Sequence, residues 1–155
     1  MKKTNKGFSM VELIIVIAIM AILAGALAPT LIKYIARSRI SADISTGDSI
    51  ASSIQTALTN EKIDDATPST FSEVYGTTET APGTSLGDEL VKTLGAASSV
   101  KQKAKKAADG TKPGFDGTFH VTLDAGQVQV YAGGTDANYL VYPTQGEYFD
   151  LSKAK

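Results

Sequence analysis

Residues 7 to 29 read GFSMVELIIVIAIMAILAGALAP and form the most apolar part of the chain. From Leu13 to Ile32 no residue is charged, a length sufficient to cross about 30 Å of hydrocarbon as a helix. One acid, Glu12, lies at the start of this run. A charge at the centre of a bilayer costs about 2.5 to 3.5 kcal/mol on insertion scales and is usually functional. The pattern therefore predicts a helix that can span a membrane and in which Glu12 has a function.

Two general explanations of the apolar run account for it only in part. A secretory signal peptide would use the lysines before residue 7 and a small-x-small site at residues 26–28. Glu12 would then interrupt its apolar core, and Pro29 would directly follow the cut. A plain uncleaved anchor is the second alternative. Basic residues flank the run on both sides, so charge does not set its orientation, and Glu12 would have no role.

The whole N-terminal block strongly resembles that of type IV pilins and the related pseudopilins of type II secretion systems. The resemblance lies in a short basic leader ending in Gly7, then Phe8, then Glu12 at the fifth mature position, then an aliphatic run with Gly25 and Pro29. It implies that a membrane-embedded prepilin peptidase cuts between Gly7 and Phe8 and methylates the new amine. It also implies that the Phe8 ammonium of one subunit meets the Glu12 carboxylate of a neighbour.

Such a pair would fix the axial register between otherwise featureless apolar helices, because an unpaired charge in a low-dielectric setting is costly. The segment from Gly25 to Pro29 is expected to help assembly, since proline removes a hydrogen bond to the carbonyl four residues back. In assembled filaments of the resembled family the matching segment is often stretched. Ser9, Met10 and Val11 depart conservatively from the commoner family residues.

After Pro29 the apolar pattern becomes one-sided, as in an amphipathic helix that continues to about Asn60. Asp43 and Asp48 are predicted to lie off the apolar face, and Gly47 to mark a bend. The apolar positions recur at steps of three and four: Ile32, Ala36, Ile40, Ile44, Gly47, Ala51, Ile54 and Leu58.

The rest of the chain predicts a small α+β head. Residues 118–130 alternate as a hairpin with one buried face, and residues 138–143 and 147–151 are expected to form further strands. A loop with one turn of helix after Thr70 is predicted from the capping-box spacing of Thr70 and Glu73. A short helix is expected between Ser85 and Gly95.

The predicted fold class is therefore α+β and type IV pilin-like. A long N-terminal helix, membrane-spanning in its first half and amphipathic in its second, packs against a small antiparallel sheet. The expected divisions are a leader at 1–7, a transmembrane and filament-core helix at 8–32, the amphipathic half at 33–60 and the head at 61–155.

Composition argues against an enzyme. The chain has no cysteine and one histidine, His120, so neither a catalytic triad nor a zinc site is expected, and His120 is predicted to be a solvated surface residue. Asp136 stands almost alone in a glycine-rich loop, whereas calcium takes six to eight oxygens. No cofactor or metal is predicted. Without cysteine, the C-terminal loop must be held by packing and hydrogen bonds.

One basic run leaves two interpretations open, contact with DNA or another anionic polymer, or a solvated charged face. No aromatic residue interleaves with it, which weakens base stacking and favours the solvated face. The run consists of Lys101, Lys103, Lys105 and Lys106.

The predicted function is that of a type IV pilin. The prepilin would be a single-pass protein of the cytoplasmic membrane, with its N-terminus inside and its head outside, and would later form an extracellular pilus. Its expected partners are identical or related subunits, prepilin peptidase, the assembly platform and, before assembly, the lipid bilayer. The alternatives are a pseudopilin of a type II secretion-like system and a monomeric, membrane-tethered binding domain.

Overall fold

The computed structural model describes residues 7–59, 70–75, 100–124 and 127–153. One helix, α1, runs from Met10 to Leu58. Four strands form one sheet: β1 (Thr70–Tyr75), β2 (Phe119–Asp124), β3 (Gln127–Ala132) and β4 (Leu140–Tyr142). Neighbouring strands are antiparallel and follow chain order across the sheet. The predicted α+β class is thus confirmed.

The chain divides into two compact units, Met1–Ile35 and Ala36–Lys155. In the first unit every described residue is exposed, including its large aliphatic side chains. The part of α1 in this unit contains a window that is long and apolar enough to cross a membrane. Bare apolar surface on this scale is characteristic of a segment that meets lipid or other protein.

The second unit is built on the C-terminal part of α1, which buries one stripe of side chains. Ile50 and Ile54 are fully buried in a cluster with Phe119, Val130 and Phe149. The stripe follows the helical period, because its members lie three or four residues apart with one adjacent pair. It consists of Ile40, Asp43, Gly47, Ile50, Ala51, Ile54 and Ala57.

The predicted hairpin is confirmed by β2 and β3. Val121 lies opposite Val130, and Leu123 lies opposite Val128. All four side chains are buried, while the alternating residues between them are only half-buried. The alternation therefore places one face of the hairpin in the core, as period-2 patterning requires.

Three predictions for the head need correction or fall outside the described residues. Thr70–Tyr75 is strand β1, not a turn of helix. Residues 147–151 do not form the expected strand; residues 147–149 are a turn, and a 3-10 helix begins at Leu151 and ends at Lys153. The helix expected between residues 85 and 95 lies outside the described residues. The strand expected at 138–143 is confirmed in its central part, Leu140–Tyr142.

The sequence predicted Asp43 to lie on the exposed side of α1. In the structure its side chain is fully buried. Its Oδ1 accepts the N–H of Lys103 at 2.8 Å, and its Oδ2 accepts the N–H of Ala104 at 2.6 Å. Burial raises the pKa of Asp43, while the two N–H donors act in the opposite direction. The carboxylate thereby fastens residues 103–104 to the helix.

Gly47 does not end or interrupt the helix. A Cβ at this position would lie 2.5 Å from Cγ2 of Val141 in β4, closer than real contacts allow. Glycine is therefore present because strand and helix approach closely here, and this close approach explains a residue that costs about 1 kcal/mol in a helix interior.

Replacing Gly47 with alanine is expected to destabilise the head by about 1 to 2 kcal/mol, because overpacking outweighs the gain in helix propensity. Urea unfolding of the full chain in detergent measures this. The effect of Gly47→Ala should shrink when Val141→Ala is already present, since the colliding methyl groups are gone. Additive effects of the two changes would contradict the contact.

The C-terminal loop, which has no disulfide to close it, is held by an aromatic cluster and by backbone hydrogen bonds. Phe115 packs edge-on against Tyr139 with ring centroids 5.7 Å apart, and Tyr139 packs edge-on against Tyr148 at 5.0 Å. The N–H of Tyr148 donates to the carbonyl of Asn138, and its own carbonyl accepts from Ala108. Edge-to-face pairs contribute about 0.5 to 1.5 kcal/mol beyond area burial.

Candidate assembly site at the start of the helix

The helix start contains a reciprocal capping box made by Ser9 and Glu12. Ser9 precedes the first helical residue, and its Oγ accepts the N–H of Val11 at 3.3 Å. In return, Oε2 of Glu12 accepts the N–H of Ser9 at 2.9 Å. Two of the N–H groups that a helix start leaves without partners are thereby satisfied.

This capping box gives Glu12 a fixed position that the sequence analysis did not foresee. The signal was present, because Ser9 and Glu12 have the S-x-x-E spacing directly before an apolar run. Only one carboxylate oxygen is used: Oε1 of Glu12 accepts no hydrogen bond from the described residues. With respect to the described residues, one oxygen is thus available to a further donor, at a helix end that already favours a negative charge.

Gly7 and Phe8 lie just outside the helix, in a non-helical segment that ends at Ser9. The side chain of Phe8 is 84% exposed. Space around Gly7 is open, with no atom near the position of a Cβ. The backbone at Gly7 and Phe8 is therefore neither helical nor covered by other described residues.

Gly25 and Pro29 lie within α1, which continues through both. No atom lies within 4 Å of the place where a Gly25 side chain would begin, so the glycine leaves room for close approach by another helix. Pro29 has no N–H, so the carbonyl of Gly25 lacks its usual helical donor. Stretching of this segment in an assembled filament stays a prediction.

His120 is not the solvated residue that its place on the polar side of a strand suggested, since its side chain is only 14% exposed. Its Nε2 lies 2.6 Å from Asp116 Oδ2 and 3.0 Å from Thr118 Oγ1. Burial raises the pKa of Asp116, but hydrogen bonds from Thr118 and His120 outweigh it and lower that pKa overall.

This cluster does not have the geometry of a catalytic triad. A triad uses both ring nitrogens, one for the acid and one for the nucleophile, whereas Asp116 and Thr118 here contact the same nitrogen of His120. Asp116 also accepts the N–H of Thr118 at 2.8 Å. The three residues therefore fasten the start of β2.

Asp136 has a structural role in its glycine-rich loop. Its carboxylate accepts the N–H of Asn138 at 2.8 Å and caps the 3-10 helix Ala137–Tyr139. Among the described residues, no three histidine, cysteine or acidic side chains are grouped as a metal site would require.

Comparison with known proteins gives one match to a family model and several to curated proteins. A family model of the prokaryotic N-terminal methylation motif matches residues 2–28. Two type IV major fimbrial proteins FimA of Dichelobacter nodosus are each 42% identical over 62 residues, which is 40% of this chain and 40% or 39% of theirs. FimA of Dichelobacter nodosus strain VCS1703A is 44% identical over 50 residues, 32% of this chain and 31% of that protein. No solved structure matches the chain.

The match to these relatives is partial, since the chain spans about 40% of the length of the first of them. The motif, the relatives and the fold agree nonetheless. The motif model covers the residues that carry the basic leader, Phe8 and Glu12, and the structure adds one long exposed apolar helix and a small antiparallel sheet. By this combined evidence the chain carries the prokaryotic N-terminal methylation motif at residues 2–28 and is similar in part to type IV major fimbrial proteins, which are structural proteins.

Proposed function

We propose that this chain is a structural subunit of a type IV pilus. Prepilin peptidase removes residues 1–7 and methylates the amine of Phe8, and the mature chain polymerises through residues 8–32. Residues 33–60 carry the amphipathic half of the helix, and residues 61–155 form the head on the filament surface. The assembly platform in the membrane draws subunits from the bilayer, where the prepilin lies with its N-terminus inside and its head outside.

The observation that carries the proposal is the open oxygen of Glu12 at the start of a helix whose first 26 residues bury nothing. Cleavage would create an ammonium at Phe8, and a neighbour's Glu12 could accept it without giving up its own cap. In an apolar setting such a charged hydrogen bond is stronger than in water, and leaving either charge alone is costly.

Gly25 and Pro29 would serve the same polymerisation. The open space at Gly25 supports close packing of neighbouring helices. The missing hydrogen bond between Pro29 and the Gly25 carbonyl supports local stretching at that point. Both residues would adapt a straight membrane helix to its place in a filament core.

The mass of the mature chain tests processing directly. We expect mass spectrometry of the cell-associated protein to show loss of residues 1–7 and addition of one methyl group at Phe8. A Gly7→Leu variant should keep its full length, because a bulky side chain at this position prevents the extended backbone from entering the protease cleft. A full-length wild-type N-terminus would contradict the pilin proposal and favour a membrane-tethered monomer.

A pseudopilin of a type II secretion-like system is the second candidate, favoured by the same N-terminal residues. Loss of long sheared surface filaments on deletion of the gene would support the pilus. Loss of protein secretion with no change in surface filaments would instead support the pseudopilin.

A further inference from the structure

The uncharged run of α1 ends at Lys33, and Tyr34 follows directly; we call these two residues the interfacial pair. Tyr34 is the only aromatic residue between Phe8 and Phe71. Its side chain is 71% exposed and forms no hydrogen bond or ring contact with the residues that the structure describes. Lys33 is exposed as well. An exposed tyrosine and an exposed lysine at the end of an apolar helix are typical of the headgroup level of a bilayer.

The helix has the length that brings Glu12 to the opposite headgroup layer. Lys33 lies 21 residues after Glu12, which is about 31 Å along an α-helix. Both residues belong to the first compact unit, in which α1 is unbroken. The hydrocarbon core of a bilayer is about 30 Å thick. When the interfacial pair lies among the headgroups of one side, Glu12 therefore reaches the headgroups of the other side.

The alternative is a helix that lies deeper at its N-terminal end, with the hydrocarbon over residues 8–27 instead of 13–32. This position would bury the three apolar side chains before Glu12 and release the two large ones before Lys33, all of which are exposed in the structure. Hydrophobic burial scales with apolar area, so these gains and losses largely offset each other. Charge decides between the two positions, because the deeper one places a lone carboxylate in hydrocarbon. It also leaves Tyr34 about 10 Å beyond the hydrocarbon.

We propose that the interfacial pair binds the headgroup layer of a phospholipid bilayer and so holds Glu12 in the opposite headgroup layer, outside the hydrocarbon. The inference rests on the proposed function in one respect, the presence of the chain in a bilayer before assembly. Lysine brings an ammonium that meets lipid phosphate, and tyrosine an apolar ring with a polar edge. Glu12 then stays hydrated until its subunit leaves the bilayer. The apolar filament core is the first setting in which its charge needs a partner.

Depth measurements along the helix test this, and they need no background mutations because the chain contains no cysteine. Single cysteines that carry a nitroxide spin label are introduced into the full chain, which is reconstituted in vesicles of phosphatidylethanolamine and phosphatidylglycerol. Electron paramagnetic resonance compares the access of oxygen, which concentrates in hydrocarbon, with the access of a water-soluble nickel chelate. The labelled positions, all exposed in the structure, are Ile15, Ile17, Ile19, Ile22, Leu23 and Leu27.

We expect the deepest label at Ile22 or Leu23, because the midpoint of residues 13–32 lies between them. A deepest label at Ile17 would place the hydrocarbon over residues 8–27 with Glu12 inside it, and would overturn the inference. Equal access of the nickel chelate to all labels would show that the run does not span the bilayer, and would overturn it too.

Two double variants test the anchor itself. Lys33→Leu with Tyr34→Leu removes both headgroup contacts and extends the apolar run to residue 36. We expect the centre of its depth profile to move by about two residues, or about 3 Å, towards the C-terminus. Lys33→Arg with Tyr34→Trp keeps a cation and an interfacial ring and should leave the centre in place. The inference is wrong if the leucine variant keeps the wild-type depth or if the conservative variant moves equally far.

The depth of the helix and the proposed function can fail separately. Depth is measured without peptidase and without filaments. A profile centred on Ile17, in a protein that cells still cut and methylate, would reject the depth assignment and leave the pilin proposal standing. A native chain that keeps residues 1–7 would reject the pilin proposal whatever the depth of its helix.

Discussion

Glu12→Gln is expected to leave cleavage and methylation intact and to abolish filaments, judged by shearing and electron microscopy. Glutamine at this position keeps the capping box, because its amide oxygen can still accept the N–H of Ser9. It removes only the charge. If pairing with the neighbour's Phe8 ammonium drives docking, the neutral side chain leaves that ammonium unpaired in an apolar setting, at a cost of several kcal/mol.

Ser9→Ala is the matched control, because it removes the Oγ that accepts the N–H of Val11 and keeps both the charge of Glu12 and its hydrogen bond to the backbone N–H of residue 9. We expect it to weaken the helix start by about 1 kcal/mol and to leave filaments in place. The opposite pattern, normal filaments from Glu12→Gln and none from Ser9→Ala, would show that filaments need the Ser9 hydroxyl and not the charge of Glu12, and would contradict the docking role.

Asp43→Ala is expected to destabilise the head by about 3 kcal/mol, measured by urea unfolding of the full chain in detergent. The change leaves two backbone N–H groups, of Lys103 and Ala104, without acceptors. Each buried donor without a partner costs about 1 to 3 kcal/mol. Asp48→Ala is the control, since Asp48 is exposed on the same helix and its loss should change stability by less than about 0.5 kcal/mol. Equal effects of the two changes would contradict the anchoring role.

Asp43 also makes stability depend on pH with a defined sign. Burial raises its folded pKa above the ordinary value of 3.8. The folded state therefore binds the proton of Asp43 more tightly than the unfolded state does. The free energy of unfolding gains its full contribution from this proton below the unfolded pKa and loses it as the pH rises through the folded pKa. Asp43→Asn should remove this part of the pH dependence. If the free energy of unfolding depended on pH in the same way in the wild type and in the variant, burial would not raise the pKa of Asp43.

The parts of the fold that local patterning determines could be predicted. The β2–β3 hairpin follows from strict alternation of apolar and polar residues, and the course of α1 follows from its three-and-four spacing. β1 was missed because Thr70 and Glu73 have the spacing of a cap. Phe71, Val74 and Tyr75 are aromatic or β-branched residues, which are typical of strands, and pairing with β2 decides the conformation of this segment.

Features that depend on tertiary contacts could not be predicted. The polarity of Asp43 indicated an exposed position. In the structure its carboxylate oxygens accept hydrogen bonds from the backbone N–H groups of Lys103 and Ala104, which lie 60 and 61 residues further along the chain. Gly47 predicted a bend in the helix. Its actual role, to leave room for Val141 of β4, depends on a tertiary contact. At the candidate site, by contrast, Gly7, Phe8 and Glu12 could be proposed from the sequence, because the motif that resembles the pilin N-terminus is short and local. Their function in assembly stays a prediction.

In the proposed filament the Glu12 carboxylate of one subunit neutralises the Phe8 amine of the next. A cryo-electron microscopy map of the filament, at a resolution that shows side chains, tests it most directly. We predict that a carboxylate oxygen of Glu12 lies within about 3 Å of the methylated Phe8 nitrogen of an adjacent subunit, as a charged hydrogen bond requires. A Glu12 side chain that contacts only its own Ser9 while the neighbour's nitrogen lies more than about 6 Å away would contradict the account.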